Sequence, residues 1–99
     1  MTTDLSLGVE AVKTLADCLK AIGHPKRLEI VQYCLEPHTF TDITFNLRMN
    51  PNTFKFHSEI LMDNGLIEKK GRGAYQTTDL GQLFLKLVSR ASLVAVKTG

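Results

Sequence analysis

Ninety-nine residues, 43% of them hydrophobic and 22% charged, describe one domain that needs no staples, since a chain of this size removes somewhat over ~60% of its unfolded surface from water. The longest apolar runs fall far short of the ~20 residues of a membrane span, and the first residues lack the charged, apolar and small-residue regions of a secretory signal, so the expectation is a soluble cytoplasmic protein with no membrane partner. The net charge of +2 is too small to argue for nucleic acid by its total, and its distribution matters more: from Pro37 onward eight basic residues stand against five acidic ones, and three of the eight, Lys69, Lys70 and Arg72, lie together.

Leu5, Val9, Val12, Ala16 and Leu19 repeat at steps of four and three, with Leu15 and Ile22 widening the stripe. This spacing predicts an amphipathic helix over about residues 4 to 22, ended by Gly23. His24-Pro25 then opens a second helix that suits proline at its first position, and Leu28, Ile30, Val31, Cys34 and Leu35 predict that it is mostly buried as far as Pro37. Thr39 and Asp42 have the spacing of a capping box, which predicts a third helix over Phe40 to Leu47 with Ile43 and Leu47 as its core contacts.

Only Arg48 to Asn50 separate this helix from the next, the plan of a helix-turn-helix. Asn50 is a good N-cap because its side-chain oxygen accepts an otherwise unpaired first-turn N–H, and Pro51 loses nothing at the first helical position. Phe54, His57 or Ser58, and Leu61 recur at helical spacing, and Gly65 supplies the residue that commonly ends a helix. Leu66 to Lys70 and Ala74 to Thr78 flank Gly71-Arg72-Gly73 and predict a hairpin with a basic tip. Thr78 caps a last helix whose broad apolar face is Leu80, Leu83, Phe84, Leu87, Val88, Ala91 and Val94, reaching about Val96 and leaving Lys97 to Gly99 frayed. The fold class expected is mainly α with a small β-hairpin: a single winged helix-turn-helix domain over residues 1–99.

The fourth helix and the hairpin carry the candidate contacts. Asn52, Thr53, Lys55, Phe56 and Glu59 alternate with the apolar positions and suit a major groove, although an ordinary solvated helix face has the same pattern. Phe56 either packs under the hairpin, the preferred reading, or meets a thymine methyl group. Lys69, Lys70 and Arg72 suit phosphates or the minor groove, where the bland alternative is charge carried for solubility. His57 either bonds a phosphate or sits half-buried between helices. Cys18, His24, Cys34, His38 and His57 show no metal-ligand spacing, so the cysteines read as reduced packing residues and no metal or cofactor is expected. A redox pair of Cys18 and Cys34 stays open if the first two helices pack together. No phosphate cradle, nucleophile elbow or paired acid and base speaks for an enzyme.

These residues resemble a family. LKAIGHPKRLEIVQYCL, NTFKFHSEILMDNGLIEKK and GRGAYQTTDLG, from Leu19 to Gly81, are similar to the winged-helix transcription regulators of the ArsR type and their archaeal relatives. The specific pieces are Pro25 with Arg27-Leu28, His57 and Leu61 before Asn64-Gly65-Leu66-Ile67, and Tyr75 followed by Thr78-Asp79-Leu80-Gly81. The resemblance implies a homodimer on double-stranded DNA that pairs through its first and last helices, here 1–23 and 79–99, with Asn52, Thr53, Lys55 and Phe56 facing bases and Lys69 to Arg72 forming the wing. It also implies repression. Ser58 and Glu59 depart from the leucine and basic residue common there, and the clustered cysteines and histidines of the metal-sensing members are missing, so no effector is implied. A palindromic site is the expectation for such a dimer, and the runner-up is a winged helix that docks a protein partner in a transcription complex.

Overall fold

A computed structural model describes residues 8–98, with side chains as far as residue 90. Helix α1 spans Val9–Ile22, α2 Pro25–Tyr33, α3 Phe40–Asn46, α4 Pro51–Asp63 and α5 Asp79–Thr98; strand β1 is His38–Thr39, β2 Ile67–Lys70 and β3 Ala74–Thr77. The architecture expected from the sequence, mainly helical with a hairpin, is the one observed, with one addition. The hairpin is joined by β1 in an antiparallel sheet ordered β1-β3-β2, in which His38 pairs with Tyr75 and Lys69 pairs with Tyr75 from the other side.

The core is Ile22 of α1, Ile30 and Val31 of α2, Cys34, Ile43 of α3, Phe54 and Leu61 of α4, Leu66, Ile67 of β2 and Phe84 of α5. Each large apolar side chain fully buried there stabilises the fold by about 1.5–3 kcal/mol. Phe54 stands at the centre, with edge-on contacts to Phe40 at 5.3 Å and to Tyr75 at 5.2 Å between ring centroids, and so joins α3, α4 and the sheet. Helix α2 is less buried than its apolar content predicts. Ile30, Val31 and, at the C-cap, Cys34 are buried, whereas Leu28 is half-buried and Leu35 is exposed, because the helix stops at Tyr33 and its apolar residues spread over more than the one face its neighbours cover.

In α1 the residues turned to the core are Cys18, Ala21 and Ile22, while Val9, Val12, Leu15 and Leu19 of the predicted stripe remain exposed in the protomer. Leu5 lies outside the described residues. Helix α5 packs against α1 and α2, buries Phe84 and leaves Leu80, Leu83 and Leu87 exposed. It continues through Lys97 and Thr98, beyond the end read from its apolar pattern; the side chains of Ala91 and Val94 lie outside the described ones. Thr78 caps it as predicted, with Oγ1 accepting from the Gly81 N–H at 3.0 Å and donating to the Gly65 carbonyl at 2.6 Å. Among the described residues no helix is long and apolar enough to cross a membrane.

Candidate nucleic-acid interface

The connection between α3 and α4 sets the angle at which α4 leaves the core. Thr39 Oγ1 accepts from the Asp42 N–H at 3.2 Å to start α3, and after its last turn Arg48 takes a left-handed φ of 50° that sends Met49 back into the core. The Met49 N–H donates to the Thr44 carbonyl at 2.9 Å. Asn50 Oδ1 then accepts from the Asn52 N–H at 2.8 Å, with Pro51 in the first turn, as the sequence predicts. Met49 is the anchor that sequence reading missed, for a single apolar residue in a turn has no periodicity to reveal it.

The two sides of α4 differ sharply. Phe54, His57, Ser58 and Leu61 are buried; Asn52, Thr53, Lys55, Phe56 and Glu59 are exposed. Phe56 corrects the preferred reading: at 60% exposure it does not pack under the hairpin. Two residues advance a helix by about 200°, so once Phe54 takes the core side beneath β3, Phe56 must leave it. Ser58 fills an inward position and satisfies its hydroxyl locally, its Oγ donating to the Lys55 carbonyl at 3.1 Å.

His57 is only 6% exposed and sits at the junction of α4 with the start of α2. Its ring centroid lies 4.7 Å from that of His24 and 5.3 Å from that of Phe56. Nδ1 of His57 is buried with no hydrogen-bond partner. Burial, and after it the neighbouring His24, Arg27 and Lys26, hold its pKa below the ordinary histidine value. The His24–His57 pair joins two helices far apart in the chain, so no local pattern announces it.

The three wing cations are not equivalent. Lys69 Nζ lies over the Tyr75 ring at 5.6 Å, and Lys70 is paired with Glu68 at 3.1 Å. Arg72 is exposed at the tip between Gly71 at φ 53° and Gly73 at φ 81°, values that favour glycine, and among the described residues it has no acidic partner. Phe45, 79% exposed on α3, is a further large apolar side chain to which the sequence pattern assigns no role.

Both cysteines are free and buried. Burial pushes the Cys34 thiol up to about 12 and, with Asp17 adding to the effect, raises Cys18, whose Sγ–H points to the Asn64 carbonyl at 3.6 Å. Both are therefore thiols at neutral pH, the less reactive form. Among the described residues no three His, Cys, Asp or Glu side chains gather to hold a metal ion.

A family model described as winged helix-turn-helix matches residues 27–95. The chain belongs to the winged helix-turn-helix family. Among solved structures, this winged helix is similar to the homodimeric DNA-binding domain Mb0332 of Mycobacterium bovis, a possible ArsR-family transcriptional regulator, with a TM-score of 0.75, 21% identity, and coverage of 93% of this chain and 91% of that one. NolR of Sinorhizobium fredii gives 0.70 at 18% identity over 92% and 96% of the two chains. Reduced HlyU of Vibrio cholerae gives 0.67 at 17% identity over 83% and 92%. No curated protein sequence matches the chain. At such identities the structures speak for the shared fold.

Proposed function

We propose that this winged helix is a sequence-specific, DNA-binding transcription regulator of the ArsR type, not an enzyme, which acts in the cytoplasm as a homodimeric repressor on a palindromic site. The observation that carries the reading is the outward face of α4. Its N-terminus is capped, and Asn52, Thr53, Lys55 and Phe56 stand exposed on a helix whose other side is locked into the core. A helix of that form enters a major groove N-terminus first. Lys55 and Asn52 are the donors for base edges, Phe56 suits a thymine methyl, and Glu59 suits a cytosine amino group. Arg72 at the wing tip, without an acidic partner among the described residues, suits a phosphate or a minor groove, with Lys69 and Lys70 behind it.

The homodimer is supported by Val9, Val12, Leu15 and Leu19 on α1 and Leu80, Leu83 and Leu87 on α5, exposed on two helices that touch each other. Two recognition helices related by a two-fold axis require a palindrome. A second reading has its own observation: Phe45 at 79% and Phe56 at 60% exposure suit docking on a protein partner. Capture of sheared genomic DNA by the protein, followed by sequencing of the bound fragments, tests the proposal. Enrichment of one motif with two-fold symmetry is expected. A bound pool indistinguishable from the input, with no retention on duplex, overturns the DNA reading in favour of the protein-docking one.

A further inference from the structure

The start of α2 gathers positive charge at the end of the helix that least favours it. The helix has nine residues and no acidic residue in its first turn, and Pro25, Lys26 and Arg27 stand at its N-terminus. Cations at that end oppose the helix dipole, whose N-terminal pole is itself positive and favours anions. Lys26 has Glu29 as an acidic partner only at 3.9 Å, both side chains about half exposed, and Arg27 has none among the described residues. Nε of Arg27 is buried without a hydrogen-bond partner.

An independent observation on α4 points to the same place. His57, 6% exposed and with Nδ1 unpartnered, lies against His24, the N-cap of α2, with ring centroids 4.7 Å apart. His24 Nδ1 already accepts from the Lys26 N–H at 3.1 Å, so its Nε2 is the ring nitrogen left for another partner. On the other side, His57 meets Phe56 edge-on, which puts the cluster at the margin of the exposed face of α4. Asp17 and Lys20 of α1 line the shallow cavity beside Arg27, and among the described residues Asp17 makes no ion pair with it.

We propose that His24, Lys26 and Arg27 at the start of α2, together with His57 of α4, form a site for one phosphate-type oxyanion, filled by a backbone phosphate of the duplex that α4 reads. The site rests on the DNA-binding reading above and adds a third point of attachment to those of α4 and the wing. The single negative charge of such an oxyanion is attracted by the helix N-terminus and by both cations, and His24 Nε2 is placed to hydrogen-bond it. The same chemistry holds a free phosphate, and the two sources separate by experiment.

Lys26→Ala and His24→Gln replace side chains that are exposed or half-exposed, and Arg27→Lys keeps the charge as a control. Binding to random-sequence duplex across a salt series is compared with the wild type, and the imidazole resonances of His24 and His57 are followed by NMR during addition of duplex or of inorganic phosphate. The site predicts that Lys26→Ala, which leaves Arg27 on the same phosphate, lowers the salt slope by up to about 0.9, the value for one neutralised phosphate. His24→Gln weakens cognate and random duplex alike, Arg27→Lys keeps the wild-type slope, and duplex shifts both imidazoles. Unchanged slopes with imidazoles that move only on inorganic phosphate retain the oxyanion site and assign it to a free anion. Unchanged slopes with imidazoles that respond to neither overturn it, whereas a wild type that binds no duplex at all overturns the DNA-binding reading instead.

Discussion

Thr77 of the wing donates its Oγ1–H to the Val31 carbonyl of α2 at 2.6 Å, and its backbone N–H donates to the Cys34 carbonyl at 2.8 Å. The hairpin is thereby tied through a buried residue to the end of the helix whose beginning touches α4. Thr77→Val keeps the shape and removes the hydroxyl, so the Val31 carbonyl loses a buried partner at a cost of about 1–3 kcal/mol. Urea unfolding at fixed protein concentration should show that loss, and Thr77→Ser should recover most of it. A valine variant as stable as the wild type would mean that the bond contributes nothing.

His57 makes stability depend on pH in a set direction. Its folded pKa lies below the ordinary value of about 6.5, because burial and the charges of His24, Lys26 and Arg27 disfavour the imidazolium. Above that value both states hold the ring neutral and the residue adds no pH dependence. As the pH falls through it the unfolded chain takes up a proton that the folded chain refuses, so the fold loses stability. The wild type should therefore weaken between about pH 7 and pH 5 more steeply than His57→Gln. Equal slopes for the two proteins would remove this role from His57.

Much of the fold is legible in the sequence because it is local. Asn50, Pro51 and Gly65 mark the ends of α4, and Thr39 and Thr78 mark the starts of α3 and α5, through bonds made within a few residues. What escapes a sequence reading depends on distant packing. The two-residue strand β1 has no pattern of its own and exists because Tyr75 and Ala74 of β3 are there to pair with it. The buried side of α1 takes Ile22 from the predicted stripe together with Cys18 and Ala21 from outside it, while Val9, Val12, Leu15 and Leu19 of the louder stripe face outward. That Phe56 lies opposite Phe54 is legible from the helical spacing, but whether the hairpin covers it depends on where the wing packs, and it stays exposed. The unequal standing of Lys69, Lys70 and Arg72 depends on the positions of Tyr75 and Glu68.

The exposed leucines of α5 make assembly testable. If Leu83 and Leu87 meet a second copy, Leu83→Asp puts a charge into an apolar interface without touching the protomer core, where Phe84 is the buried residue. Light scattering should give a dimer for the wild type at micromolar concentration, and monomer or aggregate for the variant. A monomeric wild type, or an undisturbed dimer in the variant, would take the interface away from this face.

The division of labour between α4 and the wing is tested most directly by comparing Lys55→Ala with a variant lacking Lys69, Lys70 and Arg72, each titrated against cognate and random duplex across a salt series. Base edges carry sequence information and phosphates carry mostly charge, so the two variants should fail differently. Lys55→Ala should cost ~1–3 kcal/mol on the cognate site and much less on random DNA. The wing variant should weaken both duplexes by similar factors and lower the salt slope by about 0.9 for each phosphate that is no longer neutralised. Arg72→Gln alone should account for more of that fall than Lys70→Gln, because Lys70 is already paired with Glu68. Equal loss on both duplexes for Lys55→Ala, together with an unchanged salt slope for the wing variant, would contradict the assignment of base reading to α4 and phosphate binding to the wing.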